Sequence, residues 1–527
     1  MKPRVVSQPL AGNPLAEAVI GGIAPDGWYE RLPADVTGWR GRLDSIRSSF
    51  DKDWLSRLEP AFGATGNAKT RLEASANGRG VVVTTGQQPG LFGGPVYTLS
   101  KALSVLAFAD ALQQATQIPV APVFWAATDD TDFREASSTT VSIPGGAQVL
   151  RMDHPEALGR PMSVMPLPDL SAELAALDQA TGQTVDREPL EILRQAYARG
   201  ATVGSAYISL LRRLLAPLGI SVVDASDVSL RTAARGILSA ALDRSSQIAQ
   251  GIKARSAELE ATGYAPQVAD VPGLSLVFST ASGSRKRIPI KTAQKQTVTE
   301  DMGPNVLLRP IVERAVLPTV VYIGGPAEIA YFAQITPIAD ALEVARPAVL
   351  PRWSCTILEP HVEKILDTLH LTPQDFRDPH EVEARIARSH LPKRVLEELQ
   401  RTRLVVEAQL DALSRAVVEE KAPVAPTVTG GLHANLLRRL DRFERRLVAG
   451  AKREHSAIMR DLATARGSLY PFGKAQERSV NFIPFLARYG SNLRTAMMAE
   501  ATKHATTFVG SGSTRDAGER MPASGRA

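Results

Sequence analysis

Residues 79–135 hold the pattern that most limits how this chain can fold. Arg79–Thr85 (RGVVVTT) is a short β-branched run, the mark of a buried strand. A turn-rich stretch follows, Gly86–Pro95 (GQQPGLFGGP). From Val96 to about Gln114, Leu99, Leu103 and Leu106 then share one helical face. Pro119–Ala127 (PVAPVFWAA) reads as a second apolar strand and runs into an acidic loop, Asp129–Glu135 (DDTDFRE). Strand, glycine loop, helix, strand and acidic loop predict a parallel α/β sheet with its functional loops at the C-terminal strand ends. The grammar returns twice. Gly219–Asp224 (GISVVD) precedes a helical stretch over Val228–Ala249. Leu317–Ile323 (LPTVVYI) precedes Gly324-Gly325-Pro326 and a helix over Ala327–Gln334, and Pro347–Leu350 is expected to close the sheet.

Segments of a different texture interrupt this core. Residues 145–205 are acidic and Pro-containing with helical patches. Residues 255–300 hold Leu274–Ser279 and Arg287–Lys291, separated by the turn Ser282-Gly283-Ser284. Both read as insertions into one α/β core over residues 1–380, whose first 75 residues read as helices and loops. From about Asp378 the pattern turns helical. Leu399, Val406, Leu410, Leu413 and Val417 share a face that Arg403 interrupts, and Leu436, Leu440, Phe443 and Leu447 share another, followed by Ile458 and Leu462. Between them Ala422–Gly431 (APVAPTVTGG) carries two prolines and a glycine pair, which stop helices. An antiparallel coiled-coil hairpin is therefore expected over 381–465. Residues 466–509 should return to the core, and 510–527, small and polar, should form a disordered tail.

Composition narrows the function. With 527 residues, 44% hydrophobic and 22% charged, the chain can bury a large core without staples, which excludes fibrous and wholly disordered classes. The single cysteine, Cys355, excludes an intramolecular disulfide and any multi-cysteine metal site, and fits a reducing compartment. His361 and His370, like His380 and His390, lie much farther apart than the three or four positions that helix ligands need. No protein-bound transition metal is expected. No apolar run approaches the ~18–20 residues of a membrane helix, and Met1–Gly22 lacks the signal-peptide pattern. A cytoplasmic protein with no membrane partner is expected. The net charge is +6, and its densest cluster is Arg438, Arg439, Arg442, Arg445 and Arg446. That cluster lies among leucines at helical spacing and reads as a solvated helix face. No aromatic platform or zinc-finger spacing supports nucleic acid as a partner.

Four groups of residues can carry chemistry. In Thr84–Lys101, Gly86, Gly90, Gly93 and Gly94 let backbone amides approach a ligand. The helix that follows offers its positive end to an anion. Gln87 and Gln88 can donate and accept, and Tyr97 and Lys101 stand on that helix, with Lys101 able to reach a phosphate or carboxylate. The loop is neither a Walker A loop nor GxGxxG, and a tight turn is the plainer reading. The second group is Asp129, Asp130 and Asp132 with Glu135, which can hold magnesium or an amine, or act as a general base. In an extended loop Asp130 and Asp132 point to one side and Asp129 to the other. Asp132 ahead of Glu135 also has capping-box spacing. The third group is Asn305, Arg309, Gly324, Gly325, Glu328 and Tyr331, in which Arg309 could hold a carboxylate bidentately. The fourth is Gln476-Glu477-Arg478 with Asn481, turning back over the site or pairing internally.

At these residues the chain resembles the bacillithiol biosynthesis cysteine-adding enzymes, also called bacillithiol cysteine ligases. Five stretches carry the resemblance in order: Thr85–Lys101 (TGQQPGLFGGPVYTLSK), Pro122–Glu135 (PVFWAATDDTDFRE), Asn305–Pro310 (NVLLRP), Leu317–Gln334 (LPTVVYIGGPAEIAYFAQ) and Gln476–Gly490 (QERSVNFIPFLARYG). The resemblance implies a Rossmann-like core with connecting insertions and a C-terminal coiled coil used for homodimerisation. It implies the last step of bacillithiol synthesis, in which the cysteine carboxylate forms an amide with the amine of glucosaminyl malate. ATP, with Mg2+, is the implied energy source. Catalytic roles then fall to Lys101, Asp130 and Asp132. Substrate or nucleotide binding falls to Thr85, Gly86, Gln87, Gln88, Gly93, Gly94, Tyr97, Asp129, Asn305, Arg309, Gly324, Gly325, Glu328, Tyr331, Gln476 and Arg478. Two positions depart from the family. Thr131 stands where members commonly carry a histidine, and Ser100 where many have a histidine or tyrosine. These departures keep two other readings open: a Rossmann-like ligase or nucleotidyltransferase acting on another amine, or a dimeric coiled-coil scaffold with a degenerate nucleotide site.

Overall fold

The computed structural model describes residues 2–154 and 159–510. Its first unit takes in the described residues of 2–141, 149–358 and 477–510, and its second those of 142–148 and 359–476. The predicted tail beyond Gly510 lies outside the described residues.

The first unit is built on β1 (Val81–Gln87), α1 (Val96–Thr116), β2 (Val120–Ala126), β3 (Ser221–Asp224), α2 (Val228–Asp243), α3 (Arg309–Val316), β4 (Thr319–Gly324), α4 (Pro326–Leu342) and β5 (Val349–Pro351). The five strands form a parallel sheet in the order β5-β4-β1-β2-β3. β2 is buried along its whole length and β1 up to Gly86, so β2 reads as a continuous apolar run and β1 as a β-branched one, neither as alternation. The chain moves outward from β1 through β2 to β3, then crosses to β4 and β5 on the other side. The order therefore reverses between β1 and β4, the place where doubly wound sheets bind ligands.

The helices depart from the sequence reading in instructive ways. α1 is buried on nearly every side, polar Thr98, Ser100, Lys101 and Ser104 included, so it is a core helix and not an amphipathic one. The stretch expected over 228–249 breaks at Arg244, where a second helix, Ser245–Ala261, begins. α4 runs well past Gln334 despite Pro337. Proline has no N–H for the carbonyl one turn back, and that carbonyl, Ala333 O, instead accepts Arg255 Nη1 at 2.7 Å.

The segment expected as an insertion near 255–300 forms a three-stranded antiparallel sheet of Leu274–Ser279, Lys286–Pro289 and Met302–Pro304. The one near 145–205 holds the helices Ser171–Thr181 and Glu188–Ala196. After residue 476 the chain rejoins the first unit, where the long helix Ile483–Val509 packs on α1.

The second unit begins at Glu359 and not near 380, because the helices Pro360–Leu369 and Pro379–Ser389 pack with its later helices. Its centre is the hairpin of α5 (Lys393–Glu419) and α6 (Pro426–Glu454). Leu410 is buried in the seam, and Arg403, the apparent flaw, pairs with Asp441 and Glu444 of the facing helix. The seam passes Ser414, which meets Thr429 at 3.2 Å, while Leu413 and Phe443 stay exposed. The stop expected over 422–431 is shorter. Pro426 opens α6, and Gly430 and Gly431 lie inside it. Proline is at home in a first turn, and glycine only weakens a helix interior. Among the described residues no helix is long and apolar enough to cross a membrane.

Candidate active site

A cavity of about 620 Å³ opens at the C-terminal ends of β1, β2 and β4, beside the switch point. One wall is a buried polar network. Lys101 Nζ donates to Gly86 O at 2.7 Å and to Gln87 Oε1 at 3.0 Å, and lies 2.6 Å from Glu328 Oε2. Its three protons are thus engaged, and the phosphate reach expected of Lys101 is already taken up by Glu328. Glu328 also accepts from Tyr322 OH at 2.5 Å and from Gly325 N–H at 2.7 Å. Burial works against its charge, but the Lys101 ammonium and these donors hold its carboxyl below the usual glutamate range. Arg309 likewise donates to Glu313 at 2.8 Å and to Tyr331 OH at 3.3 Å, and stacks over the Tyr322 ring. Glu313 accepts from Thr84. Arg352 pairs with Glu477 through two bonds of 2.9 and 2.7 Å.

The opposite wall is the acidic loop, and it is not extended. Asp130 Oδ1 accepts the N–H groups of Thr131 at 2.6 Å and Asp132 at 3.3 Å, curling the backbone around its own side chain. The same oxygen meets Arg285 Nη1 at 3.1 Å, and Oδ2 accepts from Gln88. The curl turns Asp132 out to solvent, off the cavity wall, and it makes no cap bond to the short helix after it. Asp129 and Glu135 line the cavity instead. Neither carboxylate accepts a hydrogen bond from another described residue. Burial raises the Asp129 carboxyl, opposed by Arg285 and aided by Asp130. Partial desolvation also raises Glu135, which stays open to solvent, with help from Asp132 and Asp130.

The cavity thus gathers Gly86, Gln87, Gln88, Tyr97, Lys101, Asp129, Asp130, Asn305, Arg309, Gly325, Glu328, Tyr331 and Arg478 from the residues expected at a site. Asn305 is partly used in holding its own loop, accepting Leu308 N–H at 2.9 Å. Thr85, Gly93, Gly94, Gly324, Asp132 and Gln476 do not reach it. Thr85 Oγ1 donates to Ile323 O within the sheet. Gly93 and Gly94, at φ +89° and +86°, turn inward, and a Cβ on Gly93 would sit 2.9 Å from the Phe482 ring. A Cβ on Gly324 would meet Glu328 and Val349. Gln476 is buried in the second unit.

Sequence reading grouped Glu135 with the acidic loop without giving it a role of its own, and missed Trp125, Phe278, Arg285, Arg287 and Arg352 as wall residues. Phe278, Arg285 and Arg287 come from the three-stranded insertion. Its Ser-Gly-Ser turn was visible, but nothing local says that it folds over the sheet.

A parallel sheet with a charged cavity at its switch point, in a chain that goes on into a helical hairpin, defines a Rossmann-like protein with a C-terminal coiled coil. Residues 29–353 match the family described as bacillithiol biosynthesis BshC, N-terminal Rossmann-like domain, and residues 355–509 match its C-terminal coiled-coil domain. The chain belongs to the bacillithiol biosynthesis BshC family. It is similar to a protein of Solibacter usitatus (strain Ellin6076), with 31% identity covering 81% of this chain and 84% of that protein. A protein of Koribacter versatilis (strain Ellin345) is also 31% identical, over 83% and 85%. One of Staphylococcus carnosus (strain TM300) is 26% identical, over 89% and 90%. All three bear the provisional name cysteine ligase BshC.

Proposed function

We propose that this protein is a cytoplasmic, homodimeric cysteine ligase that joins the carboxylate of cysteine to the amine of glucosaminyl malate at the expense of ATP. The observation that carries the reading is the composition of one cavity. It sets two carboxylates without hydrogen-bond partners, Asp129 and Glu135, in one cavity with Arg285, Arg287, Arg309, Arg352 and Arg478. Acids of that kind suit ammonium groups, and cations suit carboxylates and phosphates.

A carboxylate does not condense with an amine unaided, and ATP supplies the activation. Arg478 lines the cavity, is exposed and makes no ion pair with a described residue, which fits it to an incoming phosphate. Among the described residues no three His, Cys, Asp or Glu side chains converge as a metal cage. Magnesium would therefore come with the phosphates. Asp129 holds an ammonium at the inner end. Glu135 takes the proton that the attacking amine must lose, a role its raised pKa favours. Asp130, fixed by Gln88 and Arg285, positions the loop. Lys101 and Glu328 lock the wall behind it. Thr131 cannot titrate, and Glu135 offers a proton acceptor without the histidine.

Nucleotide turnover tests the reading. Release of ADP or AMP should require cysteine and glucosaminyl malate together. Hydrolysis that ignores the amine would instead favour another acceptor.

A further inference from the structure

A second, smaller cavity of about 40 Å³ lies beside the first and shares Trp125, Asp129, Phe278, Arg285, Pro304 and Arg309 with it. Beyond that common wall its lining mixes apolar Leu230, Ala234 and Leu238 from α2 and Met302 from the insertion sheet with polar Arg231, Thr280 and Asp301. Its polar residues are held in part by neighbours. Asp301 accepts from Ser279 and Thr299, both at 2.5 Å, and Arg231 donates to Glu300 O at 2.7 Å. Two groups on the shared wall are not occupied. Asp129 accepts no hydrogen bond from another described residue, and the buried indole N–H of Trp125 has no acceptor. A buried donor such as the Trp125 N–H normally finds a partner, and a half-buried carboxylate such as Asp129 is open to one.

We propose that this side cavity receives the side chain of a small α-amino acid, the CH2–SH group of cysteine, while Asp129 binds its ammonium. The assignment rests on the ligase reading above. At roughly 10–15 Å³ for each water-sized atom, 40 Å³ admits about three heavy atoms. Cysteine presents two beyond its α-carbon, and leucine presents four. The apolar floor of Leu230, Ala234, Leu238 and Met302 suits a thiol, which hydrogen-bonds weakly, better than a serine hydroxyl, which gives up more hydration to enter it. Asp129 lines both cavities. An amino acid bound there would point its side chain into the small cavity and its carboxylate into the large one, toward the arginines.

Calorimetry on the full-length protein, with cysteine, serine, alanine, leucine and N-acetylcysteine under reducing conditions, tests this. Cysteine should bind at least tenfold more tightly than serine or alanine, and leucine should not bind. Asp129→Asn should weaken cysteine at least tenfold and leave N-acetylcysteine, which has no ammonium, unchanged. Leu238→Ala should admit leucine, and if that variant does not fold, the wild-type series decides. Leucine binding as tightly as cysteine to the wild type would overturn the side cavity, as would an Asp129→Asn protein with wild-type affinity for cysteine. If the predicted selectivity appears but no amide forms with any amine, the ligase reading fails and the amino-acid site stands. If the amide forms while both variants keep wild-type selectivity, the site fails and the ligase stands.

Discussion

Lys101 Nζ lies 2.6 Å from Glu328 Oε2, tying the helix after β1 to the first turn of the helix after β4. The pair spans the switch point of the sheet. Removing one partner would leave a buried charge alone, which costs about 3–5 kcal/mol. Lys101→Met should therefore lower the melting temperature sharply, and Lys101→Met with Glu328→Gln should recover most of the loss. Thermal denaturation by circular dichroism checks this. A Lys101→Met protein that melts like the wild type would leave Lys101 a purely catalytic role.

Glu135 faces the cavity and Asp132 does not. Glu135→Gln should lower turnover at least ~100-fold, the lower end for lost acid–base help, and Asp132→Asn should stay within about twofold. A base works only when ionised, and burial raises this carboxyl. Activity should thus fall with decreasing pH through a midpoint above the ordinary glutamate value. That limb should vanish from the pH profile of any residual Glu135→Gln activity.

Asp129 carries a stability consequence. Its folded pKa is raised, chiefly by burial. The folded state therefore binds the proton more tightly than the unfolded chain, and stability from this group falls as pH rises through that window. Asp129→Asn should melt higher than the wild type at neutral pH, by a margin that shrinks to nothing as pH drops below the unfolded aspartate value. Paired melts at pH 7.5 and in acid read it out.

The strands were legible because β1 and β2 are buried on both faces, so β2 is apolar throughout and β1 is a β-branched run from Val81 to Thr85. The hairpin was legible from its apolar spacing, and even Arg403 was visible as a break, though not its partners Asp441 and Glu444. The glycine loop was legible as a loop but not in its direction, since positive φ at Gly93 suits an inward turn as well as a phosphate cradle. The acidic loop misled because alternation holds only for extended backbone. Asp130 captures the N–H groups after it, which places Glu135 on the wall in place of Asp132. Arg285, 155 residues from Asp130 in the chain, is a long-range contact that no local pattern encodes.

Gly93→Val illustrates the same point. At φ +89°, with the Phe482 ring and Leu210 within 3.0 Å of any Cβ, the substitution is strained and overpacked together. It should destabilise the protein by at least ~1–3 kcal/mol, measured by urea unfolding. Weaker ligand binding with unchanged stability would return the loop to the cavity.

The hairpin leaves Leu404, Leu413 and Phe443 about half exposed. A second copy of the hairpin would cover them. The intact chain should be a dimer at micromolar concentration in light scattering, and Leu413→Lys with Phe443→Lys should give a folded monomer. A monomeric wild type would contradict the dimer.

Mass spectrometry of purified protein incubated with cysteine, glucosaminyl malate and Mg-ATP bears most directly on the central claim. The cavity chemistry predicts a product heavier than glucosaminyl malate by one cysteinyl unit, absent when ATP is omitted. Nucleotide consumption with no such product, or the same mass gain on an unrelated amine alone, would contradict it.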